Sequence, residues 1–265
     1  MNEHPIRWFD SHCHFDFPVF DPDREQVWQH AQQEGLEGLL IPGVTRRQGE
    51  ALPAFCQNRP WRYALGLHPY FLQQHQHRDG EWLAQALAVP GVVAVGEAGL
   101  DRILATDHAI LEQQWHWFRL QAELAAQYGL PLILHIRGMH DEAAAFLRRQ
   151  RFTGGGMVHA FSGSEQQGRV WHDLGFVLGV GGAMTHPRAQ KLRRTLTALP
   201  LESLLLETDS PDMVPAFWGT ERNSPETLPL IAAMLAALRG IAPSELAAVQ
   251  KRTRLRIFPE LSGRR

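Results

Sequence analysis

Cysteine is scarce. The 265-residue chain has two, Cys13 and Cys56. Their placement fits neither a disulfide framework nor a thiolate metal site, and it points to a reducing, cytosolic compartment. Charge of one sign is also lacking. A formal net charge of -2 excludes the strong field that draws a chain to nucleic acid or membrane surfaces. An enzyme that meets nucleic acid only in its cleft stays open. No apolar run approaches the roughly 18–20 residues of a membrane span. No basic-then-apolar leader is seen, so no membrane partner is expected.

Two common chemical signatures are missing as well. Gly154-Gly155-Gly156 has no Lys-Ser/Thr behind it and leads into a strand rather than a helix, so it is a loop and not a phosphate cradle. Ser162 stands in Phe-Ser-Gly, not in a Gly-x-Ser-x-Gly elbow. No protein nucleophile recommends itself. No Ser/Gly/Pro linker separates two halves, and one domain over residues 1–265 is expected.

Against these absences stand 14 histidines. Two of them, His12 and His14, close an apolar stretch at residues 6–9. Side chains alternate along a strand, so both imidazoles point one way and Cys13 the other, into the wall. An isolated His-x-His is often a surface coincidence, and position along the rest of the chain has to decide.

Short apolar segments recur at residues 36–42, 62–67, 92–95, 132–134, 157–158, 176–180 and 204–206. Between them lie helical patterns. The first opens at Asp21-Pro22-Asp23, a start signal, and ends near Gly35; others fall at about 45–57, 79–88, 110–127, 141–149, from 165, and at 187–198. Helices at 225–238 and 243–254 close the chain. The cluster Trp115, Trp117 and Phe118 reads as packing rather than as a cofactor box. Eight β/α units without a break predict an α/β fold, a TIM (β/α)8 barrel, with a doubly wound open sheet as its rival. His12, His14, His68, Glu97, His135, His159 and Asp209 all fall at carboxyl ends of these strands. In a barrel those ends meet at one mouth, where active sites of the fold lie.

Four histidines (His12, His14, His135, His159) and two carboxylates (Glu97, Asp209) exceed what one tetrahedral ion takes. They fit two divalent ions such as Zn²⁺, Mg²⁺ or Mn²⁺, with one carboxylate bridging. A single structural zinc is disfavoured, because such sites prefer cysteine and close spacing. Water on the metals is then the nucleophile, and Asp209 the best general base. His68, in a turn set by Gly66 and Pro69, is placed to touch substrate or merely to pack. Arg137 suits an anionic group, or a salt bridge to Asp101 or Glu207. Asp10 is suited to orient a ligating histidine. Lys191, Arg193 and Arg194, with Lys251, Arg252, Arg254 and Arg256, could line a nucleic-acid path or form a solvated helix face.

Six segments in order carry a resemblance. They are Asp10-Ser11-His12-Cys13-His14-Phe15-Asp16, Gly66-Leu67-His68-Pro69, Gly96-Glu97-Ala98-Gly99-Leu100-Asp101, Pro131 through His135 to Arg137, His159-Ala160-Phe161-Ser162-Gly163 and Glu207-Thr208-Asp209-Ser210-Pro211. Together they resemble the TatD family of metal-dependent hydrolases and deoxyribonucleases. Val180-Gly181-Gly182 and Arg188-Ala189 look closest to its YjjV-like branch. The resemblance implies an amidohydrolase-like barrel, two divalent ions, and hydrolysis of phosphodiester bonds, often those of DNA from the 3′ end. It implies His12 and His14 as first-strand ligands, Glu97 as the bridging carboxylate, His135 and His159 as ligands, and Asp209 as last ligand and base. Arg102, Ile136 and Gly138 depart from the family's usual residues. The partners expected are DNA ends or a small phosphodiester, held transiently by a monomer. A metal-dependent hydrolase of a small-molecule ester or amide stays open beside this reading.

Overall fold

The first strand, β1 (Trp8–Asp10), begins a parallel sheet that runs in chain order through all eight strands. The computed structural model describes residues 6–262. The strands that follow are β2 (Leu36–Ile41), β3 (Trp61–Leu65), β4 (Val92–Asp101) and β5 (Leu132–Arg137). β6 (Gly156–Val158), β7 (Phe176–Val180) and β8 (Leu204–Leu206) complete them. Between them run α1 (Arg24–Gln33), α2 (Arg46–Cys56), α3 (Asp79–Leu87), α4 (His108–Tyr128), α5 (His140–Arg149), α6 (Glu165–Asp173) and α7 (Gln190–Ala198). The chain then adds α8 (Leu228–Arg239) and α9 (Pro243–Ile257).

The barrel expectation holds. Each strand pairs in parallel with the next, from β1–β2 to β7–β8. The seam is drawn together just beyond β1 and β8: Ser11 Oγ donates to Leu206 O at 2.7 Å, His14 N to Ser210 O at 2.8 Å, and Asp209 N to His12 O at 2.9 Å. An open sheet would leave these groups on opposite edges. Inside the barrel, Leu40, Ala64, Val93, Ile133, Met157, Val177 and Leu205 form one apolar plug. The strands and the helical shell bury a second, larger apolar layer that takes in Trp117 and Phe118. The aromatic cluster of α4 is therefore packing, as its pattern predicts.

Several boundaries differ from the sequence expectation. The strand expected at 92–95 runs on to Asp101 because β5 also continues and pairs Gly99 with His135 and Asp101 with Arg137. Gly99 is needed there: a Cβ would collide with the backbone oxygen of His135. The helix expected to open with Asp21 as cap and Pro22 in its first turn starts later, at Arg24; the residue before it, Asp23, makes no side-chain cap bond and pairs with Arg222 instead, at 2.9 and 2.6 Å. The helix expected from 187 starts at Gln190, after a turn that Arg193 ties down by donating to the carbonyls of Met184, His186 and Pro187. His12 and His14 lie just past β1 rather than within it. The alternation still holds, because Cys13 N continues the ladder to Leu40 O at 3.1 Å and Cys13 is fully buried.

Candidate metal centre

The strand ends place six sequence-predicted residues around one carboxylate. Glu97 is 1% exposed, and burial of a lone carboxylate would be costly. Its two oxygens face two separate groups of histidines. Oε2 lies 3.2 Å from His12 Nε2 and 3.4 Å from His14 Nε2. Oε1 lies 2.7 Å from His159 Nε2, 2.9 Å from His68 Nε2 and 3.3 Å from His135 Nδ1. Burial pushes the Glu97 carboxyl up, but the charges of His159, His68 and His12 outweigh it and hold it well below the usual range.

Asp209 closes the ring from the β8 side. Its Oδ1 lies 3.5 Å from His12 Nε2, 3.7 Å from His14 Nε2 and 3.9 Å from His159 Nδ1. It has a left-handed backbone, with φ of 58°, a conformation that carries strain and clusters at functional sites. The hydrogen bond from Asp209 N to His12 O helps to hold that geometry. Burial raises the Asp209 carboxyl above its ordinary value despite the charges of His159 and His14.

The histidines divide by environment. Burial and the charge of His159 push His12 down to about 3. Burial also opposes charge on His14 and His135, yet carboxylates outweigh it and raise each to about 9: Glu97 and Asp209 around His14, Asp101 and Glu97 around His135. Protons on these rings compete with any cation for the same nitrogens.

The donor set fits divalent metal. Buried His12 Nδ1 and Nε2, His14 Nδ1, His159 Nδ1 and Glu97 Oε2 have no hydrogen-bond partner among the described residues. Such a concentration of orphaned buried polar atoms needs an explanation. Neutral imidazole and carboxylate suit zinc and harder divalent ions. Ligand-capable atoms of His12, His14 and Glu97 lie within 4.8 Å of one another, and so do those of His68, Glu97 and His135.

His68 departs from its expected role. Its Nδ1 accepts from Tyr70 N at 2.9 Å, which places the proton on Nε2, and that N–H faces Glu97 Oε1. Both ring nitrogens are engaged, so His68 steadies Glu97 rather than offering a free donor to substrate. Arg137 ends β5 with its side chain exposed and makes neither of the salt bridges considered for it. Asp101 instead holds His135 Nε2 at 3.0 Å, and Glu207 accepts from Ala160 N at 2.6 Å. Asp10 does not orient an imidazole. It accepts from Thr208 Oγ1 at 2.5 Å, Thr208 N at 2.9 Å and His12 N at 3.3 Å, fastening the backbone of the first ligand loop to that of the last.

Of the basic runs, Lys191, Arg194, Lys251 and Arg252 are exposed, in keeping with a solvated helix face, and the other three are held by neighbours. Arg193 is engaged by the carbonyls before α7, Arg256 by Glu202 O, and Arg254 by Glu37 at 2.7 Å and the Phe9 ring at 4.4 Å. The cleft that Lys251 and Arg254 line reaches Arg7 and Trp8, at the amino end of β1, away from the ligands.

Asp101 and Glu207 were missed as site residues. A period of 2 would have found them, because Asp101 stands four residues from Glu97 along an extended strand and Glu207 two from Asp209. The aromatic rim was missed too: Phe17, Tyr70 and Phe71 line a cavity of about 260 Å³ over the ligands. Two of the departures explain each other. The stem of Arg102 packs over Gly138, and its guanidinium reaches Glu142 at 3.4 Å, on the rim rather than among the cavity-lining residues.

A parallel eight-stranded barrel of the amidohydrolase-like fold carries a histidine–carboxylate cluster suited to divalent metal at its carboxyl mouth, and its relatives are metal-dependent hydrolases. The chain belongs to the TatD-related DNase family, whose model matches residues 9–259. It is 43% identical over 244 residues to the "uncharacterized metal-dependent hydrolase YjjV" of Escherichia coli, covering 91% of this chain and 93% of that protein. The crystal structure of the E. coli TatD homologue YjjV superposes with a TM-score of 0.89 at 40% identity, over 96% of this chain and 98% of that one. A "3'-5' ssDNA/RNA exonuclease TatD" of Erwinia billingiae is 33% identical, over 90% of this chain and 94% of that protein.

Proposed function

We propose that the chain hydrolyses phosphodiester bonds at the 3′ end of single-stranded nucleic acid, using two divalent ions. The observation that carries the two-ion reading is the two-sided Glu97. His12 and His14 gather about Oε2, with Asp209 Oδ1 3.5 and 3.7 Å from their Nε2 atoms, and His135 and His159 gather about Oε1. Each set would hold one ion, with Glu97 shared. Ions bound there would supply an acidified water as nucleophile and charge compensation at phosphorus.

The chain's own groups do the rest. Asp209 accepts the proton of the attacking water, a role suited to a buried carboxylate whose affinity for protons is raised. His68 and Asp101 hold Glu97 and His135 in place. Phe17, Tyr70 and Phe71 wall the cavity and restrict water around the reacting bond. The exonuclease description of the Erwinia relative supports the substrate class. The cavity over the ligands admits a strand end more readily than the middle of a stiff duplex. The two unpaired, buried cysteines support a reducing, cytosolic setting.

The test is to give metal-loaded protein single-stranded oligonucleotides with free and blocked 3′ ends, and a small ester and amide. Cleavage of the free end over the blocked one is expected. Equal cleavage of both would remove the polarity. Turnover of the ester or amide alone would replace the phosphodiesterase with a small-molecule hydrolase.

A further inference from the structure

The catalytic cavity does not end at its rim. Phe17, Val44 and Phe71 are shared with a neighbouring groove of about 550 Å³ that runs beside α2. That volume lies inside the range of about 300–1,000 Å³ typical of small-ligand sites. Its walls include the rings of Phe17, Phe55 and Phe71. The groove in turn shares Thr45, Arg47 and Gln74 with a third hollow of about 310 Å³, lined also by Arg46 and Arg78.

The three spaces differ in chemistry along one line: ligand cluster, aromatic walls, then arginines, where the two carboxylates that also line the last hollow, Glu50 and Asp79, both face Arg46, at 2.7 and 3.7 Å. Phe17 already lies over the His14 imidazole, with ring centroids 4.7 Å apart and planes 23° apart, so a flat ring could continue that stack. Of the arginines, Arg46 is paired with Glu50 at 2.7 Å. Arg47 and Arg78 are exposed and make no ion pair among the described residues. A sequence of stacking surface and free cations is the pattern by which single-stranded nucleic acid is held without base-specific contacts.

We propose that this groove binds the nucleotide adjoining the scissile one, its base among Phe17, Phe55 and Phe71 and its outer phosphate at Arg47. The proposal rests on the single-strand phosphodiesterase reading of the neighbouring site. It assigns the substrate path to the α2 side of the mouth, opposite to what the basic runs of α7 and α9 suggest. It also predicts that a substrate of one nucleotide length forgoes this binding, while longer strands gain it.

Two variants test it without touching the ligand cluster. Ala51 is exposed on α2 and lines the groove but not the catalytic cavity, so Ala51→Trp fills the groove. Arg47→Glu reverses the charge at its far end. Each is assayed, metal-loaded, on a single-stranded decanucleotide and on a chromogenic diester with no second nucleotide. Binding of a labelled phosphorothioate decanucleotide, which resists hydrolysis, is followed by fluorescence anisotropy. The expected result is a rise of about tenfold in KM and Kd for the decanucleotide, with the chromogenic diester turned over as by wild type. Equal effects on both substrates, or none on either, overturn the groove assignment while wild-type cleavage of the decanucleotide keeps the nuclease reading. A wild-type protein that cleaves no oligonucleotide overturns both.

Discussion

The two ends of the barrel treat buried polar groups in opposite ways. At the amino end, α9 fits its polar side chains to waiting partners. Gln250 donates to Leu204 O at 3.0 Å and accepts from Leu206 N at 2.8 Å, while Arg254 meets Glu37 and the Phe9 ring. Unpaired atoms there, such as Arg254 Nε and Trp61 Nε1, stand singly. At the carboxyl end, orphaned atoms of His12, His14, His159 and Glu97 converge within one cluster. A satisfied buried network adds stability; an unsatisfied one is tolerated where something else binds. The same barrel therefore separates a stabilising end from a reactive one.

The largest expected break in this contrast comes from Asp209→Asn. The amide can still offer an oxygen to a metal but cannot take a proton, so kcat on a chromogenic phosphodiester is expected to fall by about 10²–10⁴ with an unchanged melting temperature. Turnover like that of wild type at saturating metal would take Asp209 out of the mechanism. Next in size is Asp101→Asn. Loosening the partner of His135 Nε2 is expected to weaken metal affinity by about 10–100-fold, read by calorimetric titration of the metal-free protein. Unchanged affinity would make Asp101 a packing residue.

His140 sharpens the comparison from just outside the cluster. It is buried, accepts from Trp171 Nε1 at 3.2 Å, and pairs with no carboxylate among the described residues. Burial pushes it down to about 4. Between pH 6.5 and 4 the unfolded chain binds a proton here that the folded chain does not, so stability falls as pH falls across that window. The loss from this group between pH 7 and pH 5 is about 2 kcal/mol. His140→Gln keeps an acceptor for Trp171 and cannot titrate in that range, so its urea-unfolding free energy should depend less steeply on pH. An identical slope in both proteins would assign the acid sensitivity elsewhere.

The smallest expected effect belongs to the amino end. Arg254→Met keeps the stem over Phe9 but loses the ion pair and the cation–π contact, for about 1 kcal/mol of unfolding free energy. Its kcat should be that of wild type. A variant with full stability and impaired turnover would contradict the division between the two ends.

Much of the fold was legible because its signals are local. Short apolar runs separated by helical patterns reveal eight β/α units, and that number fits a closed barrel. His12, His14, Glu97, His135, His159 and Asp209 stood out by their places at strand ends. What failed to show was any property that depends on a neighbour distant in sequence. Asp21-Pro22-Asp23 reads as a capped helix start until Arg222 takes the Asp23 carboxylate and the helix begins at Arg24. His68 reads as a substrate contact until Tyr70 N and Glu97 occupy its two nitrogens. Arg193, Arg254 and Arg256 read as part of a nucleic-acid path or a solvated face until carbonyls and Glu37 engage them.

The sequence by itself determined the kind of atoms offered to a metal and the strand ends that carry them, because residue type and two-residue alternation are written locally. Tertiary structure alone decided which oxygen of Glu97 faces which histidines, that Asp101 holds His135, and that an aromatic groove leads away beside α2. Those relations arise when the barrel closes and brings Ser11 onto Leu206, 195 positions apart. Side-chain direction, burial and pairing at the mouth are fixed by that closure, and no short stretch of the chain contains them.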